Sequence, residues 1–127
     1  MRVELRPTIT SDIAAVTSET LPIRIRAITA VAGERVLGIG GIGYRPDGVV
    51  IGFAFIGEEF RLYPTAIHRA GLAMMRVIRE VGVPEVLAMA DKTVPRAERW
   101  LERLGFKPCR CSGEQIYVWR AADVDVE

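Results

Sequence analysis

Between Pro22 and Gly57 three strand-like runs follow one another with only tight turns between them, which leaves no room for a helix. "PIRIRAITAVA" alternates apolar and basic residues, Gly33-Glu34 leads into "RVLGIGGIGY", and Pro46-Asp47-Gly48 turns the chain into "VVIGFAFIG". Runs this close in sequence pair as an antiparallel meander, because parallel pairing needs a crossover of a dozen or more residues. The third run is almost wholly apolar, which predicts a central strand covered on both faces.

From Tyr63 the period changes to that of a helix. Ile67, Ala70, Gly71, Met74, Val77, Ile78 and Val81 form an apolar stripe at spacings of three and four, and Gly82 and Pro84 close it. "EVLAMA" reads as a buried strand, so the helix makes a crossover to a parallel neighbour. A second helix is expected with Thr93 as cap and Pro95 in its first turn. Ala97, Trp100, Leu101 and Leu104 would face the core, and Gly105 would end it.

Ahead of the meander, "RVELRP" alternates as a first strand. "TITSDIAAVTSET" then predicts a short helix with Thr10 or Ser11 at its N-cap and Pro22 beyond its end. Phe106 opens a strand, "EQIYVWR" is the last one, and residues 121–127 read as a loose tail. The expected class is α/β: one domain over residues 1–127 with a mixed sheet of about six to seven strands flanked by about three helices.

A net charge of +1 with scattered arginines gives no electrostatic case for nucleic acid or an anionic membrane as partner. No segment approaches the ~18 consecutive apolar residues of a membrane span. The polar opening lacks a signal-peptide h-region, so a cytoplasmic protein is expected. Cys109 and Cys111 would share one strand face, a poor disulfide geometry, and read as buried or half-buried thiols. With His68 as the only histidine there are too few partners for a four-ligand zinc site, so no metal is expected.

Gly38-Ile39-Gly40-Gly41-Ile42-Gly43 fits the letters of G-x-G-x-x-G, but a dinucleotide fold needs a helix directly after the loop to hold the pyrophosphate. Here a Pro-Asp-Gly turn and another strand follow instead, which excludes that function. The glycines strip the strand of side chains, leaving room for Phe53 and Phe55 or for a ligand. A better phosphate site is the strand-to-helix junction "FAFIGEEFRLYPTAIHRAG", where free N–H groups and the positive end of the helix dipole converge. Arg61 adds a charge-assisted contact there and Thr65 a hydroxyl.

The order of elements resembles the GNAT superfamily of N-acetyltransferases over nearly the whole chain. "AERWLERLGF" is similar to the family's A-x-x-hydrophobic-Y-E-K-L-G-F segment, and "LRPTITSDIAAV" to its first strand and helix. The short length and the "PRAERWLERLGF" ending also resemble short GNAT proteins of phages and prophages. The resemblance implies the GNAT fold and an acetyl-CoA-dependent transfer of an acetyl group to a primary amine of a small molecule or protein. It places a Q/R-x-x-G-x-G/A pyrophosphate loop at Arg61-Leu62-Tyr63-Pro64-Thr65-Ala66, with Phe55 and Ile56 of the preceding strand also lining the cofactor.

Three departures from the family pattern bear on activity. Pro64 stands where the loop has its central glycine and removes an N–H donor. Leu101 stands where the family often has a tyrosine that protonates the leaving thiolate. Val94 stands where an asparagine is frequent. The implied attack of an amine on a thioester needs a base and an acid. Glu58 and Glu59 at the end of the central strand are the candidate bases, with Asp47 and Asp91 behind them. Tyr63, or else Tyr44, is the candidate donor, and His68, off the apolar stripe, reads as a surface residue. The rival expectation is a catalytically reduced GNAT-like module that binds a CoA-type ligand or a protein without turnover. Leu72 and Met75, beside the main stripe, leave room for a homodimer.

Overall fold

The computed structural model describes residues 2–16, 24–90, 96–109 and 116–124. The strands are β1 (Glu4–Pro7), β2 (Arg24–Ala32), β3 (Arg35–Tyr44), β4 (Val50–Ile56), β5 (Glu85–Met89), β6 (Lys107–Cys109) and β7 (Ile116–Arg120). The helices are α1 (Thr10–Val16), α2 (Pro64–Val81), α3 (Ala97–Arg103) and α4 (Ala121–Val124). The seven strands form one mixed sheet in the order β1-β2-β3-β4-β5-β7-β6, as an α/β chain with this element order predicts.

The meander forms as expected. β2, β3 and β4 pair antiparallel, and the Pro46-Asp47-Gly48 turn closes with Arg45 N–H on the Val49 carbonyl at 2.9 Å. Every second residue of β2, β3 and β4 faces α2, so Ile28, Gly40 and Ala54 are aligned beneath it, as are Ala30, Gly38 and Ile56. α2 and α3 pack on this same face. Met74, Met75 and Ile78 of α2 join Leu101, Leu104, Phe106, Val86, Tyr117 and Trp119 in the main core. Met75 is therefore a core residue at 2% exposure, whereas Leu72 is 48% exposed. The stripe wraps further round the helix than its spacing implied.

β4 departs from the expectation of a strand covered on both faces. Its residues are half-buried and Ala54 is exposed. The cause is its pairing: β5 runs parallel to it but meets it only at Ile51↔Leu87, so the rest of that edge is open.

The helix ends show which local signals carried through. Gly105, at φ 103°, ends α3 in a Schellman arrangement: its N–H donates to the Glu102 carbonyl and Phe106 N–H to that of Leu101. Gly82, at φ 80°, ends α2 as read. At the start of α1 neither Thr10 nor Ser11 is the cap. Ile9 N–H donates to Asp12 Oδ2 at 2.9 Å, the reciprocal half of a capping box, and Asp12 N–H turns back onto the Ile9 carbonyl at 3.0 Å. The expected cap and first turn of α3, Thr93 to Pro95, lie outside the described residues, as does Pro22.

Residues 121–124, expected in a loose tail, form α4, anchored by Ala121 N–H on the Pro84 carbonyl at 3.0 Å. Cys109 is disulfide-bonded and so is not the thiol expected. The expectation assumed one strand through both cysteines, whereas β6 is Lys107–Cys109 and Cys111 lies outside the described residues. Among the described residues no helix is long and apolar enough to cross a membrane, and no His, Cys, Asp and Glu cluster has the make-up of a metal site.

Candidate functional site: the open edge of β4

Where β4 and β5 part, small residues line the gap. Gly52 and Ala54 of β4 and Ala88 and Ala90 at the end of β5 leave an apolar hollow of about 80 Å³, closed by Met74, Trp100, Leu101 and Phe106. A Cβ on Gly52 would stand 3.2 Å from Val86 Cγ1, so glycine also allows the two strands to approach before they separate. A second hollow of about 30 Å³ lies beside it, between α2 and the glycines of β3, and the two share Ala54, Ile56, Met74 and Trp100 as walls.

The glycine run therefore serves packing with α2. A Cβ on Gly40 would meet Met74 Sδ at 3.3 Å, and one on Gly38 would meet the Phe60 ring at 3.1 Å and the Phe55 carbonyl at 2.6 Å. Gly41 faces the other way, its Cβ direction blocked by the Arg26 carbonyl of β2. The space expected for Phe53 and Phe55 belongs to Phe60 and Met74 on the α2 face. The two phenylalanines lie against each other, ring centroids 5.9 Å apart.

After β4 the chain makes a 3₁₀ turn over Phe60–Leu62 and enters α2 at Pro64. Tyr63 is the N-cap residue; its N–H donates to the Phe60 carbonyl and its own carbonyl accepts from Ile67 N–H at 3.0 Å. Pro64 has no N–H, so Thr65 and Ala66 carry the free donors of the first turn. The helix has no side-chain cap there, which leaves the positive end of its dipole open to an anion. Arg61 is exposed beside it.

The residues singled out in the sequence fall into separate groups. Phe55 and Ile56 line the hollows. Leu62, Tyr63, Thr65 and Ala66 line an open basin at the start of α2 together with Arg2, Glu4 and Arg69. Among the described residues none lines both the basin and a hollow. Glu59 is held by Arg35, Nε to Oε1 at 3.0 Å and Nη2 to Oε2 at 2.8 Å, and this pair lowers the carboxyl pKa. Glu58 is exposed, and Asp47 pairs with Arg45 at 2.8 Å in the hairpin turn. Asp91 and Val94 lie outside the described residues.

His68 is half-buried with Nδ1 enclosed and unpartnered, so it is not the surface residue its place off the stripe implied. Leu101, aligned with a position where the resembled family often has a tyrosine, is a buried wall of the larger hollow. Trp100 is the residue that sequence reasoning missed. It packs against the main core as read, but it also lines both hollows, and its buried indole N–H has no acceptor. The signal was its polar atom, since a buried indole N–H ordinarily finds a partner.

The site thus offers an apolar slot, an orphaned donor at its wall, and free amides with an arginine at a helix start. No family model matches the chain, and no curated protein matches it in sequence. Its likeness is to solved structures. The Escherichia coli ribosomal-protein-S18-alanine N-acetyltransferase superposes with a TM-score of 0.71 at 9% identity, over 94% of this chain and 94% of that one. A Desulfovibrio desulfuricans protein assigned to the GNAT family of acetyltransferases gives 0.69 at 14% identity, over 94% and 99%. A Bacillus subtilis acetyltransferase in complex with CoA gives 0.62 at 12% identity, over 94% and 97%. The chain has the GNAT acetyltransferase fold.

Proposed function

We propose that this chain is an acetyl-CoA-dependent N-acetyltransferase acting on a primary amine of a small molecule or a protein. The observation that carries the proposal is the parting of β4 and β5 after the single bridge Ile51↔Leu87, which opens an apolar slot into the sheet. The solved structures support it: one similar fold is an acetyltransferase in complex with CoA, and another acts on the alanine of a ribosomal protein. In this reading β4 amides beyond Ile51 polarise the thioester carbonyl. The neutral amine attacks its carbon, the carbon–nitrogen bond forms as the carbon–sulfur bond breaks, and the amine's proton ends on the departing sulfur. Arg61 and the Thr65 and Ala66 amides hold the phosphates. Glu58 is the freer of the two proposed bases, because Glu59 must first leave Arg35.

A second reading, a module that binds the thioester without turnover, is favoured by Leu101. That residue puts an apolar wall where the family often supplies an acid. Thermal unfolding with acetyl-CoA, followed by thiol release over a panel of amines, separates the two. Binding with thiol release supports the enzyme, and binding without release on any amine supports the module. No stabilisation at millimolar acetyl-CoA would sink both. Arg61→Ala is expected to weaken CoA binding about tenfold, the loss of one charge-assisted contact. An unchanged affinity would remove Arg61 from the site.

A further inference from the structure

The slot adjoins a second hollow, and Ala54, Ile56, Met74 and Trp100 line both. α2 roofs the second hollow at Gly71, and Gly38 and Gly40 of β3 floor it. Its lining is almost entirely apolar, and a cavity of that character stays dry. At about 30 Å³ it has room for about two or three methylene groups. The glycines let its walls approach closely, so an added methyl would crowd it: a Cβ at Gly40 would stand 3.3 Å from Met74 Sδ, and one at Gly71 2.8 Å from Trp100 Cζ2.

We propose that the preferred acyl donor carries a short linear chain of about four to six carbons, whose end enters this second hollow. The inference rests on the reading of the β4–β5 slot as an acyl-CoA site and names the acyl group that the slot takes. The chemical step is unchanged: the amine nitrogen bonds to the acyl carbon as the carbon–sulfur bond breaks, and the proton goes to the thiol. Each methylene moved from water into the hollow tightens binding about fourfold at full burial, so the hollow discriminates by chain length.

The test is calorimetric titration of the full chain with acetyl-, butyryl-, hexanoyl- and decanoyl-CoA. Butyryl- or hexanoyl-CoA is expected to bind about tenfold more tightly than acetyl-CoA, with no further gain for decanoyl-CoA. Acetyl-CoA binding at least as tightly as both would overturn the inference and leave acetyl transfer standing. A further gain with decanoyl-CoA would overturn the length limit. No binding by any of the four would overturn the acyl-CoA site itself.

Gly40→Ala adds a methyl to the inner hollow alone, against a flexible methionine. It is expected to bring the ratio of hexanoyl to acetyl affinity close to one. An unchanged ratio in a variant with wild-type circular dichroism would show that the chain does not enter there. Should Gly40→Ala not fold, the chain-length series on the native protein still decides.

Discussion

At the scale of single residues, Asp12 is the strongest electrostatic commitment in the described chain. It is 2% exposed, yet its carboxylate accepts from Arg6 Nη1 at 2.6 Å and Nη2 at 2.8 Å, from Ile9 N–H at 2.9 Å and from the Thr29 hydroxyl at 2.9 Å. The hydrogen bonds from Arg6 outweigh the cost of burial and hold its pKa down to about 2. A carboxyl depressed in the fold stabilises it fully above its unfolded pKa, and that contribution is lost as pH falls toward the folded value. Denaturant stability is therefore expected to drop by about 2 kcal/mol between about pH 4 and pH 2 through this group. Asp12→Asn should remove that part of the pH dependence and be less stable at pH 7, because Arg6 loses its charged partner. Equal slopes for the two proteins over this interval would assign the titration elsewhere. The motif "TITSDIAAV" marked a helix start, but nothing in it told that Asp12 would turn inward, since Thr29 and Arg6 reach it only through the fold.

At the scale of elements, period and punctuation were legible because they are local. The alternation of β2, the three-four stripe of α2 and the glycines at 82 and 105 each correspond to an observed element or end. Gly105 is the clearest case, since its φ of 103° is one that residues with a Cβ rarely adopt. Gly105→Ala is expected to cost about 1 kcal/mol, read as a lower thermal midpoint with native circular dichroism. No loss would mean that the α3 end relaxes into another turn. What was not legible is what depends on the neighbour across a gap. The half-exposure of β4 follows from where β5 stops pairing with it, and Trp100 reaches the walls of both hollows because Gly71 lets it approach α2. The same limit applies to the site. Residues 55–66 are continuous in sequence, but the turn over Phe60–Leu62 sends the first of them to the hollows and the later ones to the basin.

At the scale of the whole molecule, the sheet is two antiparallel halves, β1 to β4 and β5 with β7 and β6, joined by one parallel bridge. The halves are held together mainly by α2 and α3, whose side chains meet both in one core. A ligand in the slot would touch β4, β5 and α3 together and so couple elements that the backbone barely connects. The β4 amides beyond Ile51, with no sheet partner on the β5 side, belong to the part of the fold that opens locally. Hydrogen exchange at Ala54 and Ile56, whose N–H groups point away from β3, is therefore expected to slow when acetyl-CoA or butyryl-CoA binds. The central amides of β2, paired on both edges by β1 and β3, should change least. Protection confined to β1 and the start of α2 would instead put the ligand in the basin beside Arg2 and Arg69 and away from the slot. Slowing at both the start of α2 and the open edge of β4 would mean that one extended ligand spans the two. A CoA thioester has that shape, with phosphates at one end and an acyl chain at the other.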